Sequence, residues 1–385
     1  MKFRIERDVL AEAVAWTAHA LPPRPPLPVL AGVLLEVSES SLTVAGFDYE
    51  VSTQATIDVQ AITAGRALVS GRLLADITRA LPPHPVELTA DGPRVTITCG
   101  NARFSLPTMP IDDYPKLPVM PAAVGTIAGD VFATAVSQVA IAAGRDETIP
   151  MLTGVRLQIA GDQLTLAATD RYRLAERVVS WSPGEVDLNT AVLVPARTLL
   201  DAAKTLADAD VVTIALATSE GAGEGMIGFA SGKRRMTTRL LDAEFLKYQS
   251  LWPTSVGGTA ELPSAQFMEA AKRVALVADR GTPVRLEFAP GMVTLRAGGD
   301  DEGRAEEELE VSYDGEPFMI GFNSSYLLDG VGAIGTDVVR LSFTSAGKPA
   351  VLSGVDAGSG PGDVADATDV PPNYRYLTMP MRLPG

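Results

Sequence analysis

The sequence predicts an α+β protein made of three repeated domains, each a duplicated β-α-β-β-β unit. One segment recurs along the chain at 29–52, at 151–175 and, more faintly, at 284–298. Asp48 of the first copy matches Asp170 of the second, so these copies are offset by 122 residues. Self-similarity at a fixed period indicates tandem structural units that stack on one another.

Amphipathic helices precede the three copies, because apolar residues there fall three and four positions apart. The predicted helices cover 9–21, 131–144 and 267–279. A strand, a cap and a second helix follow each copy, at 67–81, 192–206 and 319–334. Alternating apolar residues after each of these helices predict the remaining strands.

Stretches rich in proline and glycine at 116–125 and 251–263 mark the boundaries between repeats. The predicted domains are therefore 1–121, 126–253 and 260–385. Three such units form an arc, and two arcs related by a twofold axis would close a ring of six units.

Composition excludes several classes of protein. The 385 residues carry a net charge of −15, which excludes a basic footprint over the whole surface. Cys99 is the single cysteine, and His19 and His84 are the two histidines, so neither an intrachain disulfide nor a His/Cys metal site is expected. The sequence has no apolar run long enough to span a membrane. We therefore expect a cytoplasmic protein with no membrane partner. No nucleophile–base pair stands out, so we expect neither an enzyme nor a cofactor.

The predicted helices together are close to neutral, whereas the rest of the chain is strongly acidic. A near-neutral helix layer would suit a ring whose helices face a polyanion without gripping its bases. The same distribution could equally arise by chance, and charge alone leaves both interpretations open.

Five segments carry a resemblance to a known family. They are MKFRIER at the start, RPPLPVL (24–30), TDRYRLA (169–175), FNSSYLL (322–328) and MPMRL (379–383). Together with the triple repeat, they make the whole chain resemble the bacterial sliding clamp, the beta subunit of DNA polymerase III. The resemblance implies a head-to-tail dimeric ring with helices inside and sheets outside.

That resemblance also implies a function. A sliding clamp is not an enzyme; its homodimeric ring encircles duplex DNA and contacts it without regard to sequence. It tethers DNA polymerase III and other polymerases, which makes synthesis processive. The implied further partners are the clamp loader, mismatch-repair and ligase-type clamp-binding proteins, and clamp-directed peptide antibiotics.

A hydrophobic pocket for partner peptides is implied on each subunit. The matching positions are Leu152, Thr169, Arg171, Tyr172, Arg173, Leu174, Leu246, Leu251, Asn323, Tyr326, Met379, Pro380, Met381, Arg382 and Leu383. Leucine and methionine would offer an adaptable apolar surface, and the arginines could hold a carboxylate or carbonyl group at the rim. Without the resemblance, Leu174, Met379 and Leu383 would equally suit an ordinary core.

Two further surfaces follow from the resemblance. The expected DNA-facing residues are Arg24, Arg72, Arg79, Arg145, Arg197, Lys204, Lys272, Arg273 and Arg280. The expected dimer contacts are Phe104, Leu106 and Leu276. Alternation along a strand would bury Phe104 and Leu106 in any case, so core packing remains an alternative for both.

Three interpretations remain open at this point. The first is a replicative sliding clamp, and the second is a specialised or antibiotic-tolerant clamp paralogue. The third is an acidic repeat protein that binds other proteins and never DNA. Pro384 and Gly385 extend past the MPMRL segment, and they could shift the edge of the pocket.

Overall fold

A computed structural model of the protein describes residues 1–22, 24–184, 187–217, 225–278, 281–299, 303–355 and 373–383. Arg280, the Pro384–Gly385 pair and most of the loop at 353–373 lie outside the described residues. The described chain contains helices and a larger number of strands, in agreement with the predicted α+β class.

Six predicted helices are confirmed. They are α1 (Arg7–His19), α2 (Gly71–Ala80), α3 (Gly129–Ala140), α4 (Ala196–Thr205), α5 (Ser264–Ala275) and α6 (Ser324–Ala333). Helix α3 ends four residues earlier than predicted. The reason is a turn after the helix, in which the Gly144 N–H donates to the Leu152 carbonyl at 2.7 Å.

The strands follow one another along the chain as β1 (Lys2–Ile5), β2 (Gly32–Ser38), β3 (Ser41–Phe47), β4 (Val51–Asp58), β5 (Gln60–Thr63), β6 (Gly65–Ser70), β7 (Val86–Asp91), β8 (Arg94–Cys99), β9 (Ala102–Pro107), β10 (Ala123–Ile127), β11 (Gly154–Ala160), β12 (Gln163–Thr169), β13 (Arg173–Ser180), β14 (Ser182–Pro183), β15 (Asn189–Pro195), β16 (Val212–Leu216), β17 (Met226–Ser231), β18 (Arg234–Arg239), β19 (Gly258–Pro263), β20 (Val284–Ala289), β21 (Met292–Gly299), β22 (Gly303–Glu310), β23 (Ser312–Gly315), β24 (Phe318–Phe322), β25 (Val338–Phe343), β26 (Ala350–Val355) and β27 (Tyr374–Thr378).

The described residues form two compact units. The first unit contains a five-stranded sheet, ordered β5-β1-β7-β8-β9, and a nine-stranded sheet, ordered β14-β10-β16-β17-β18-β4-β3-β2-β6. Helix α1 packs on α2 and on strands β3 and β4. Leu10 and Val14 of α1 are fully buried in this core, and the Thr17 hydroxyl lies 3.3 Å from the Val44 carbonyl.

The second unit has the same plan. Its nine-stranded sheet is ordered β15-β11-β12-β13-β27-β26-β25-β19-β23, and its four-stranded sheet is ordered β22-β21-β20-β24. Helices α5 and α6 pack against each other, and Phe267 and Leu327 are fully buried in this core.

Each nine-stranded sheet runs across a predicted domain boundary. Strand β4 of the first predicted domain pairs with β18 of the second, and β13 of the second pairs with β27 of the third. Because these sheets are continuous, the chain groups into two units although its sequence repeats three times.

One glycine of α6 is required by packing. An added Cβ at Gly330 would lie 2.5 Å from Cε1 of Tyr376, whose side chain is fully buried. We expect Gly330→Ala to lower the free energy of unfolding by about 1–3 kcal/mol, because the ring must shift within a packed core. Urea denaturation measures this loss.

Gly332→Ala is the matched control in the same helix. There an added Cβ meets only the end of the flexible Met268 side chain, at 3.2 Å. Alanine also favours a helix over glycine, so this variant should be as stable as the unaltered protein or more so. Equal stability of the two variants would contradict the assigned packing.

Candidate functional site

A rigid turn between β12 and β13 exposes one aromatic side chain. Oδ1 of Asp170 accepts the backbone N–H groups of Tyr172 and Arg173, at 3.0 and 3.1 Å. The Thr169 hydroxyl donates to the Arg173 carbonyl at 2.6 Å. Arg171 adopts a positive φ of 82°, in the left-handed region. The turn therefore has a fixed shape, and Tyr172 leaves it 56% exposed.

The first unit contains the same turn at the matching place in the repeat. Oδ1 of Asp48 accepts the N–H groups of Glu50 and Val51, at 3.0 and 2.7 Å. Tyr49 has a φ of 77°, as Arg171 has in the second copy. The match between Asp48 and Asp170 in the sequence thus reflects one turn used twice.

Arg173 connects this turn to α6. Its Nε lies 2.9 Å from Oδ2 of Asp170, and its Nη1 lies 2.6 Å from Oδ2 of Asp329. Its guanidinium group lies 4.5 Å from the centre of the Tyr326 ring, on which Tyr172 also stacks at 6.4 Å. Two carboxylates and one ring therefore hold the charge in place, and its side chain is only 11% exposed.

Tyr326 is itself positioned by the start of α6. Oδ1 of Asn323 caps the helix by accepting the N–H groups of Ser325 and Tyr326, at 3.0 and 3.2 Å. The Tyr376 hydroxyl donates to the Tyr326 carbonyl at 2.9 Å. Burial raises the pKa of Tyr376 above its usual value, which favours the protonated, donating form of this hydroxyl.

An apolar cluster lies behind the turn. Its buried members are Ala167, Leu174, Tyr248, Trp252 and Leu377, and Phe245, Leu246 and Val351 pack against them partly buried. Leu251 precedes Trp252 with 47% of its surface exposed, and Met379 is 38% exposed. Exposed apolar side chains that border a buried apolar cluster form a surface to which an apolar peptide can bind.

The segment 379–383 borders the same surface. The Met379 N–H donates to the Tyr172 carbonyl at 2.8 Å, and the Met381 N–H donates to the Gly321 carbonyl at 2.8 Å. Leu383 lies over Gly321, where an added Cβ would come within 2.7 Å of Leu383 Cδ2. Pro380 and Met381 are half-buried, and Arg382 is exposed.

The remaining pocket residue, Leu152, is buried in the turn at 150–153. It adjoins Gly144, whose Cβ position lies 3.3 Å from Leu152 and 3.7 Å from Cβ of Asp170. The structure therefore brings Leu152, the turn at 169–174, α6 and the segment 379–383 to one part of the second unit.

A charged pair fixes the chain segment that carries Leu246 and Leu251. Glu176 of β13 lies opposite Arg375 of β27, and their side chains form an ion pair at 2.6 Å. The Arg375 guanidinium lies 3.9 Å from the Trp252 ring centre. Burial and the nearby Glu176 carboxylate raise the pKa of Tyr248 above its usual value.

Sequence reasoning missed Glu176, Tyr248, Asp329 and Arg375. Most of these residues act through partners far away in the chain, which the sequence pattern does not reveal. The first unit likewise buries a tyrosine, Tyr114, in an apolar cluster, but that burial is seen only in the structure and gave no signal in the sequence. Burial there raises the pKa of Tyr114 to about 12.

The first unit has no apolar row of side chains at the strand positions that match the apolar cluster of the second unit. In the second unit, paired neighbours on three adjacent strands are Leu174, Leu377 and Val351. The matching row in the first unit is Ser52, Thr237 and Gly228. Met120 covers it, with its Cε and Cγ 3.1 Å from the Cβ position of Gly228.

The expected DNA-facing residues within the described chain are all exposed: Arg24, Arg72, Arg79, Arg145, Arg197, Lys204, Lys272 and Arg273. Three of them form ion pairs with carboxylates of the same chain: Arg79 with Asp76, Lys272 with Glu269 and Arg273 with Glu307. Hydrogen bonds from Lys272 and Arg273 hold the pKa values of Glu269 and Glu307 below their usual range. Arg280 lies outside the described residues.

The expected dimer contacts differ in exposure. Leu276 follows α5 and is 85% exposed, and Phe104 on β9 is 36% exposed. Leu106 is only 2% exposed and lies in the core, although Phe104, two residues earlier, is on the same face of β9. Of the three expected dimer contacts, Phe104 and Leu276 are therefore the two that expose apolar surface.

Two other kinds of site are absent from the described residues. No group of three or more histidine, cysteine, aspartate or glutamate side chains is arranged to hold a metal ion. No helix in that part of the chain combines the length and apolar character needed to span a membrane.

The pair formed by Glu176 and Arg375 should stabilise the second unit. We expect Glu176→Gln and Arg375→Met each to cost about 1–3 kcal/mol, because each leaves a partly buried charge without its partner. The double variant should lose less than the sum of the single losses. Thermal and urea denaturation of the four proteins test this, and additive losses would show that the two charges do not interact.

In comparison with known proteins, three successive parts of the chain match three domain models of one protein family. Residues 1–118, 126–247 and 249–361 match the models of the DNA polymerase III beta subunit N-terminal, central and C-terminal domains. The chain is 53% identical to the beta sliding clamp of Streptomyces coelicolor over 100% of both chains. It is 41% identical to the beta sliding clamp homolog GriR of Streptomyces muensis over 99% of each.

Solved structures show the same likeness. The chain is similar to the sliding clamp of Pseudomonas aeruginosa bound to griselimycin, with a TM-score of 0.89 and 28% identity over 100% of both chains. It is similar to the DNA polymerase sliding clamp of Bacillus subtilis, with a TM-score of 0.89 and 25% identity over 100% of this chain and 99% of the other.

Proposed function

Because the chain belongs to the DNA polymerase III beta subunit family, whose members are non-enzymatic sliding clamps, we propose that two copies encircle duplex DNA and tether DNA polymerase III for processive synthesis. Other polymerases and the clamp loader bind the same ring, as do mismatch-repair and ligase-type proteins. The protein works in the cytoplasm, where replication takes place.

Partner docking takes place at the apolar surface of the second unit. The observation that supports it best is the exposed group of Tyr172, Leu251 and Met379 beside the buried apolar cluster. Peptide side chains of the leucine or phenylalanine type fit such a surface, and the fixed Arg173 and Tyr326 orient the peptide. A clamp-directed peptide antibiotic would compete for this surface; griselimycin is bound to the related clamp of Pseudomonas aeruginosa.

Ring closure pairs the first domain of one copy with the third domain of the other. Strand β9 is an edge strand that carries exposed Arg103 and Phe104, and β22 is an edge strand that carries Glu306, Glu308 and Glu310. A basic edge and an acidic edge complement each other, which supports head-to-tail pairing over pairing of like edges. Leu276 adds an apolar contact at this interface.

Sequence identity favours the replicative clamp over the specialised paralogue. The chain shares 53% of its residues with the Streptomyces coelicolor clamp and 41% with the GriR homologue. An acidic repeat protein that never binds DNA is disfavoured by membership of the family. Arg24, Arg72, Arg145, Arg197 and Lys204 have no ion pair among the described residues, so they remain able to contact phosphates.

Peptide binding tests the docking surface. A labelled pentapeptide of the Gln-Leu-x-Leu-Phe type should bind the intact protein with saturable fluorescence anisotropy, and a protein lacking 379–385 should not bind it. Leu251→Ser should weaken binding about tenfold, because it removes an apolar contact. Val256→Ser changes a residue of similar exposure, 50% against 47%, and should leave binding unchanged. Failure of the intact, folded protein to bind would refute docking at this surface.

Dimer formation tests the ring. Leu276→Asp should shift the protein from dimer to monomer in sedimentation velocity, because a charge would be buried at the apolar contact. Its thermal stability as a monomer should be unchanged, since Leu276 is 85% exposed. Val211→Asp, at a residue 51% exposed, is the control that should remain dimeric. The wild-type ring should stay on circular DNA and slide off linear DNA; a wild-type monomer would contradict the assembly.

A further inference from the structure

A single row of side chains crosses the nine-stranded sheet of the second unit. Directly opposed residues on neighbouring strands point to the same face of a sheet. The register places one such row on all nine strands, in the order Leu193, Arg156, Ala167, Glu176, Arg375, Ser353, Arg340, Glu261 and Ser312. Three arginines and two glutamates therefore share this face.

The three arginines differ in their partners. Arg375 pairs with Glu176 and Arg340 pairs with Glu261, both at 2.6 Å. Arg156 has no carboxylate within ion-pair distance among the residues that the structure describes. Its Nη1 instead donates to the neutral Oε1 of Gln158 at 2.6 Å. Arg156 thus keeps a half-buried positive charge that forms no ion pair among the described residues.

Arg156 lines a cavity of about 310 Å³. The cavity lies between β15, the strand at the end of the sheet, and the segment 243–249. Leu193 and Leu246 contribute apolar wall, and Lys247 and Glu244 contribute one charge of each sign. With Arg156 the lining is net positive, on a chain whose net charge is −15.

The cavity and the proposed docking surface share the side chains of Phe245 and Leu246. Leu246 lines the cavity and also packs against the apolar cluster of Leu174 and Leu377. If a peptide binds that cluster through its apolar motif, the peptide residues that flank the motif would therefore reach the cavity. Opposite charge favours an anion in such a place, and a peptide supplies one as an aspartate or glutamate side chain.

We propose that this cavity receives an acidic side chain that flanks the apolar motif of a partner peptide, with Arg156 as its main charge partner and Lys247 as the second. The proposal rests on the proposed function, because the apolar motif must first bind the docking surface. It adds a specificity determinant, since partners with an acidic flank bind more tightly than partners with a neutral one.

Matched peptides test this proposal. The probes are the labelled apolar pentapeptide alone and the same peptide with Asp-Glu or Asn-Gln added at either end. By fluorescence anisotropy, an acidic extension at one end should bind the intact protein roughly three- to tenfold more tightly than the neutral extension at that end. The preference should shrink as salt is raised.

Three variants identify the charge that is responsible. Arg156→Gln should abolish the preference for the acidic extension while the unextended peptide keeps its affinity, and Lys247→Gln should reduce the preference. Lys348→Gln removes the same charge from an exposed residue outside the cavity lining and should leave the preference intact. Thermal denaturation confirms that each variant is folded.

The outcomes separate the two proposals. If the unextended peptide binds but acidic and neutral extensions bind equally, or if Arg156→Gln retains the preference, the cavity proposal is overturned and the docking function stands. If the intact protein does not bind the unextended peptide, the docking surface itself is wrong and the cavity proposal falls with it.

Discussion

The register between β13 and β27 determines most of the candidate site. It sets Leu174 opposite Leu377, Glu176 opposite Arg375 and Arg173 opposite Thr378. Met379 follows directly and donates its N–H to the Tyr172 carbonyl. A slip of β27 by one residue would move Leu377, Arg375 and Thr378 to the other face of the sheet, away from their partners on β13. The apolar cluster, the charged pair and the segment 379–383 therefore depend on one alignment of two strands about 200 residues apart.

Local patterns in the sequence predicted the parts of the protein that short-range physics controls. Apolar spacing located three of the six predicted helices, and the repeated strand, cap and helix located the other three. The repeat also aligned Asp170 with Asp48, and in the structure the two residues hold equivalent turns. Alternation along β9 was expected to bury both Phe104 and Leu106, and it was right for Leu106 but wrong for Phe104, which is exposed. The resemblance to a family supplied the pocket positions, which neither spacing nor composition could give.

The rest required contacts between distant parts of the chain. Asp329 touches Arg173 across 156 residues, and Arg375 touches Glu176 across 199. A charge count treats Arg173, Arg375 and an exposed arginine such as Arg72 alike. Burial and pairing separate them: the first two are held by carboxylates and rings, and the third faces solvent. The effective charge of a surface is therefore a property of the fold and cannot be read from composition.

The two units share the turn of the candidate site but not the apolar side chains beside it. The turn of Asp48 reproduces the turn of Asp170, yet the row beside it is Ser52, Thr237 and Gly228, covered by Met120. For protein engineering this means that a second docking surface cannot be grafted by exchanging three side chains. A valine at Gly228 would press against the Met120 side chain, so Met120 would also have to be moved or replaced before a new surface could be exposed.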